Sequence, residues 1–225
     1  MSFVIRLVSY DVRSINNLKL KGLLNTMREK NGRGSALLAL VLLASLALAC
    51  TALKNLGSGN SLAEANKMVQ EANNELKLID QIADDNEEKS SALEKADNAN
   101  DSAEVKRILE DVIKAIDDGL KHGEVAADKL DKASKMNIDD KYKEYLSLKS
   151  SSLRKQIEAF KERKEAARIM HDNYDNKDKA AVQKAKDDFK KKNTNFKKLL
   201  GEAKDLSRKA DDIARQNPDK IKPSS

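Results

Sequence analysis

The chain has 225 residues, 36% of them charged and 4% aromatic, with two Pro, eight Gly, one Cys and no Trp. A single Cys excludes a disulfide framework and any zinc site built on paired cysteines, and the two histidines, His122 and His171, give no cluster that could hold a catalytic metal. Scarce Gly, Pro and aromatics beside abundant Ala, Leu, Lys, Glu and Asp point away from β-sandwiches and α/β folds and toward long helices, an all-α fold.

The formal charge of +6 is unevenly spread. Residues 1–49 carry seven Lys/Arg against Asp11 and Glu29 and so hold +5 of it. Residues 50–150 have 15 basic and 22 acidic side chains, a balance of −7, whereas residues 151–225 have 21 and 13, a balance of +8. An acidic half is followed by a basic one.

Taken in chain order, the first element is an export signal. Residues 35–49, SALLALVLLASLALA, are uncharged and follow Arg28, Lys30 and Arg33, the arrangement of a basic n-region and an apolar h-region. Fifteen residues are short for a bilayer span, and nothing else in the chain is apolar enough to surround such a segment as a core helix. Residues 1–26 lie upstream of a signal that is complete from Met27, so they reflect either an upstream start codon or a short amphipathic extension. Cys50 stands directly after Leu46-Ala47-Leu48-Ala49. Ala47-Leu48-Ala49 also satisfies the A-x-A rule for ordinary signal peptidase, which would cut at the same bond. Residues 50–60, with Gly57, Ser58 and Gly59, form a flexible tether.

The body of the chain divides into four helical stretches over 61–217. Ser61 and Glu64 match a capping box opening the first. Its apolar residues fall at Leu62, Ala65, Val69, Ala72, Leu76, Ile79 and Ala83, in steps of three and four, and weaken near residue 86, where a break is expected. Asp101 with Glu104 caps the second stretch, whose stripe runs Val105, Leu109, Val112, Ile116, Leu120, Ala127, Leu130 and Ala133, with Gly119 and Gly123 as points of bending. Asn137 with Asp140 caps the third, marked by Tyr142, Tyr145, Leu146, Leu153, Ile157, Phe160, Ala167 and Met170. After a turn at 173–178, the fourth carries Val182, Ala185, Phe189, Phe196, Leu199, Ala203, Leu206, Ala210 and Ile213, interrupted at Lys192, and Asn217-Pro218 ends it. Connections this short force consecutive stretches to run antiparallel. The expected fold is an elongated four-helix bundle, with a three-helix bundle as the alternative if 86–100 is loop, followed by a disordered tail at 218–225.

Little in this pattern supports catalysis. There is no Gly-rich phosphate loop, GxSxG or HExxH, and the isolated histidines suit solvated helix surfaces. The sequence is read as a non-enzyme with no cofactor, no metal and no small-molecule substrate. The basic half is more informative. With Val182, Phe189, Phe196 and Ala203 as heptad a positions, Lys190, Lys197 and Lys204 fall at b and Lys184, Lys191 and Lys198 at c, so six lysines share the outward face over about 30 Å. A second basic set, Arg154, Lys155, Lys161, Arg163, Lys164 and Arg168, is diluted by Glu158, Glu162 and Glu165. The strip is a candidate docking face for a polyanion or an acidic patch on a partner; the competing reading is that basic helices merely neutralise acidic ones inside the bundle. Nucleic acid is not expected, since no aromatics interleave with the lysines.

Cysteine after a small residue at the end of an h-region is similar to a bacterial lipobox. The Leu46 to Cys50 segment, with Leu one step further from the Cys than usual, resembles the relaxed lipoboxes of spirochaetes. Together with the Gly/Ser tether and the Lys- and Asn-rich helical body, it resembles the helical outer-surface lipoproteins of Borrelia type. That resemblance implies acylation of Cys50, including palmitate, and a lipid anchor in the outer membrane with the body exposed at the cell surface. It further implies a host ligand such as an extracellular-matrix component or glycosaminoglycan, plasminogen or a complement protein, bound in adhesion or immune evasion. A periplasm-facing lipoprotein serving envelope structure or assembly is the alternative.

Overall fold

The computed structural model describes residues 59–221, and among them every regular element is a helix. These are α1 (Gly59–Asp85), α2 (Glu87–Asn98), α3 (Ser102–Ser134), α4 (Asp140–Asn173) and α5 (Lys179–Gln216). α1 and α2 are the two parts of the first predicted stretch, so the fold is the expected one: four antiparallel helical stretches packed side by side.

The break falls at Asn86. Its side-chain Nδ2 donates to the carbonyl of Ile82 at 2.6 Å and so closes the end of α1. Glu87 and Glu88 then open α2, where negative charge complements the helix N-terminus. α2 ends in a left-handed residue, Asn100 at φ 56°. The Asp101 N–H reaches back to Ala96 O and the Asn100 N–H to Asp97 O, a Schellman closure that folds the chain over at once. Asp101 caps α3 by accepting from the Glu104 N–H at 3.1 Å. The cap of α4 is Asp139, accepting from the Lys141 N–H at 2.8 Å, in place of the predicted Asn137. Asp178 caps α5 through the Ala180 and Ala181 N–H groups.

Two boundaries differ from expectation. α1 begins at Gly59, so Ser61 lies within its first turn and not at a cap. At the other end, the chain is ordered past Asn217. The Ile221 N–H donates to Asn217 O, Lys220 Nζ pairs with Asp139 at 2.8 Å, and Ile221 is 1% exposed. Burying one more Ile at the end of the bundle, an apolar gain of about 1.5–3 kcal/mol, holds residues 218–221 that were expected to be tail. Cys50 and the other N-terminal features read from the sequence lie outside the described residues, as do 222–225.

The predicted stripes are the core: Ala65, Val69, Ala72, Leu76, Ile79 and Ala83 of α1 are all buried. α3 runs unbroken through Gly119 and Gly123. A Cβ on Gly123 would lie 3.3 Å from Ile157 Cγ1 and 3.9 Å from Ile79 Cδ1, so this glycine lets α3 close against α1 and α4 together. Packing follows chain order. α1 lies on α3, α3 on α4 and α4 on α5, while α1 and α5 scarcely touch. α4, with neighbours on both sides, buries most of its circumference; α5 has one main neighbour and leaves a wide face to solvent.

Candidate functional site

The candidate site is the outward face of α5. Phe189, Phe196 and Ala203 are 5%, 5% and 2% exposed and pin one side of the helix to α4. Phe196 meets Phe160 edge to face with centroids 5.8 Å apart, a geometry that adds about 0.5–1.5 kcal/mol to the burial. Ser152 of α4 donates to the carbonyl of Ala203 at 2.8 Å and fixes the register lower down. With that side anchored, the 3.6-residue repeat turns heptad positions b and c away from α4.

Lys184, Lys190, Lys191, Lys197, Lys198 and Lys204 are all exposed on that face, as the heptad reading requires. Lys198 stands 4.0 Å from Glu202, which is shared with Lys155 of α4 at 3.4 Å. Lys184, Lys190, Lys191 and Lys204 make no ion pair among the described residues. The face is not wholly free of acid, because Asp187 lies on it, receiving the Gln183 amide at 3.3 Å. Further along, Asp205 pairs with Arg208 at 3.0 Å and Asp212 with Arg215.

The second basic set behaves differently. Arg154 reaches Asp128 at 2.8 Å, Lys161 reaches Glu124 at 2.9 Å and Lys164 reaches Asp117 at 2.6 Å, all across to α3. Lys155 and Arg168 pair with Glu158 and Glu165 on their own helix. Arg163 is no surface residue. It is 9% exposed, its guanidinium sits 5.7 Å from the Phe196 ring centroid, and burial lowers its pKa to about 10. The neutralisation proposed for the basic half therefore operates on α4, whose acids come from α3. On α5 it engages Lys192, which reaches Glu162 of α4 at 3.1 Å, but leaves Lys184, Lys190, Lys191 and Lys204 without an ion pair among the described residues.

The histidines are also engaged. His122 Nδ1 lies 2.6 Å from Glu75 of α1, and His171 stands between Asp172 at 2.8 Å and Glu110 at 3.1 Å. Among the described residues no group of three or more His, Cys, Asp or Glu side chains could hold a metal ion, and no helix is long and apolar enough to cross a membrane.

Sequence reasoning missed the buried polar residues of α4. Lys149 is 3% exposed, bonded to Asp211 at 2.7 Å and lying 5.6 Å from the Tyr145 ring centroid. Lys149, Gln156 and Arg163 recur at seven-residue spacing, in phase with Tyr142 and Met170, and that periodicity was the signal that they face inward. No family model, curated protein or solved structure matches this sequence.

Proposed function

We propose that the chain is a lipid-anchored surface protein, held by an acylated Cys50, that binds a host ligand bearing clustered negative charge through the outward face of α5. The ligand classes are a sulfated glycosaminoglycan or other matrix component, plasminogen or a complement protein, and the role is binding, not catalysis. One observation carries this reading: six exposed lysines stand on one face of α5 over about 30 Å, four of them, Lys184, Lys190, Lys191 and Lys204, in no ion pair among the described residues, while Arg154, Lys161 and Lys164 of α4 are paired with acids of α3. Aligned, exposed lysines form a positive field that attracts an extended polyanion and weakens as salt shortens the screening length to about 8 Å at physiological ionic strength.

The test is binding of immobilised heparin and of matrix and complement components by wild type and by the combined variant Lys190→Gln, Lys191→Gln, Lys197→Gln and Lys198→Gln. Glutamine keeps good helix formers on an exposed face, so thermal stability should stay within about 0.5 kcal/mol of wild type. Affinity at low salt should fall by at least about tenfold, about 1.4 kcal/mol. Wild-type affinity in a folded variant would remove α5 as the docking face.

A further inference from the structure

The bundle keeps its most acidic and most basic stretches apart. α1 and α2 together carry ten acidic and four basic side chains, a balance of −6. α5 carries six acidic and twelve basic side chains, a balance of +6. Within one molecule these stretches scarcely meet, because α3 and α4 stand between them and exchange ion pairs with each other. Much of the acidic charge is concentrated at one corner. Asp84, Asp85, Glu87, Glu88 and Glu94 are exposed around the α1–α2 break at Asn86, and none of them forms an ion pair among the described residues. Lys89, the one basic residue inside that run, is directed 3.9 Å toward Asp111 of α3.

We propose that the outward face of α5 docks on the acidic α1–α2 corner of a second copy of this chain. The match is one of charge. Lys190, Lys191, Lys197 and Lys198 occupy about 12 Å of helix, and Asp84, Asp85, Glu87 and Glu88 bracket a single residue on the partner surface. Each copy offers both halves of the contact but holds them on helices that do not pack on each other, so opposite charge directs association between molecules. The two patches are different surfaces. Two copies satisfy both at once only if a twofold arrangement brings each α5 to the other's corner, and otherwise the contact propagates head to tail. This inference shares the α5 face with the polyanion reading, which would compete for it, but the acidic corner belongs to this inference alone.

The experiment uses the full-length chain in a non-ionic detergent, which shields the apolar run at 35–49 from causing association of its own. Sedimentation is measured at about 0.01 M and about 1 M salt, where screening lengths are about 30 Å and about 3 Å. Wild type should sediment as dimer or larger at low salt and as monomer at high salt. Two charge-reversed chains are compared, one with Lys190, Lys191, Lys197 and Lys198 changed to Glu and one with Asp84, Asp85, Glu87 and Glu88 changed to Lys. Each alone should be monomeric at low salt. An equimolar mixture of the lysine-reversed and acid-reversed chains should associate again at low salt, because each supplies the charge that the other lacks. The acid-reversed chain should still bind heparin at least as tightly as wild type, which distinguishes failure of this interface from failure of the polyanion reading although both use the α5 lysines. Circular dichroism confirms folding, and a Lys→Gln set replaces the Glu set if reversal unfolds the chain. A wild-type chain that is monomeric at low salt, or a folded acid-reversed chain that associates like wild type, would overturn the proposal.

Discussion

Buried polar side chains of this bundle divide by whether they find a partner. Lys149 finds Asp211, while Arg163 has the Phe196 ring. Asp97 is 8% exposed and accepts from Tyr174 Oη at 2.7 Å. Burial nevertheless raises its pKa above the ordinary 3.8, the Tyr174 bond opposing the shift without cancelling it. It also sits in the last turn of α2, where carbonyl dipoles disfavour a negative charge. A carboxyl that binds its proton more readily when folded stabilises the protein below its unfolded pKa and loses that contribution as pH rises through the folded value. Asp97→Asn, which retains an oxygen for Tyr174, should therefore melt higher than wild type at neutral pH, with the gain shrinking as pH falls toward the ordinary aspartate range. Thermal melts across that range check it, and a gain independent of pH would exclude charge burial as the cause.

Helix α5 shows how little packing a long element needs when its cap and stripe are sound. It has a side-chain cap at Asp178, one row of aromatic and alanine contacts, and solvent on the rest of its surface. Gly201 lies exposed in its interior, and a Cβ there would meet nothing within 4 Å. Glycine in a helix interior costs about 0.8–1.0 kcal/mol relative to alanine, so Gly201→Ala should stabilise the protein by about that amount. Gly123→Ala has the same helical advantage, but its methyl would press on Ile157 at 3.3 Å. The two melting temperatures should rank Gly201→Ala above Gly123→Ala. The reverse order would mean that Ile157 yields freely and that α3 does not depend on a close approach there.

At the scale of the whole molecule, the arrangement is a chain-ordered stack of helices, in which α3 and α4 exchange ion pairs while Lys190 and Lys191 of α5 and Asp84, Asp85, Glu87 and Glu88 of the α1–α2 corner form none among the described residues. Function is proposed to depend on presenting those outer faces from a membrane. Acyl chains contribute about 0.8 kcal/mol per buried CH₂, so two or three chains on Cys50 would hold the protein where no short amphipathic segment could. Cys50→Ala should release it from the membrane fraction and abolish incorporation of labelled fatty acid. Retention of both label and membrane association would sink the lipid-anchor reading.

Helix identity was legible in the residues because 3.6-residue periodicity is a local property. Leu76 and Ile79, Leu153 and Ile157, and Phe189 and Phe196 announce the faces they bury wherever the chain later goes. The outward register of the six lysines on α5 was readable for the same reason. Local chemistry also marked the Asn86 break and the Asp101 cap. The choice between Asn137 and Asp139 depended on where Ile138 was drawn into the core, and the order of residues 218–221 depended on a slot for Ile221. Which charges are neutralised was likewise beyond sequence, since Arg154, Lys161 and Lys164 look no different from Lys190 and Lys191 until α3 is known to lie beside α4 and not beside α5. Periodicity tells a residue which side of its own helix it occupies, but only the packing of helices distant in sequence decides whether that side faces an acid, a ring or water.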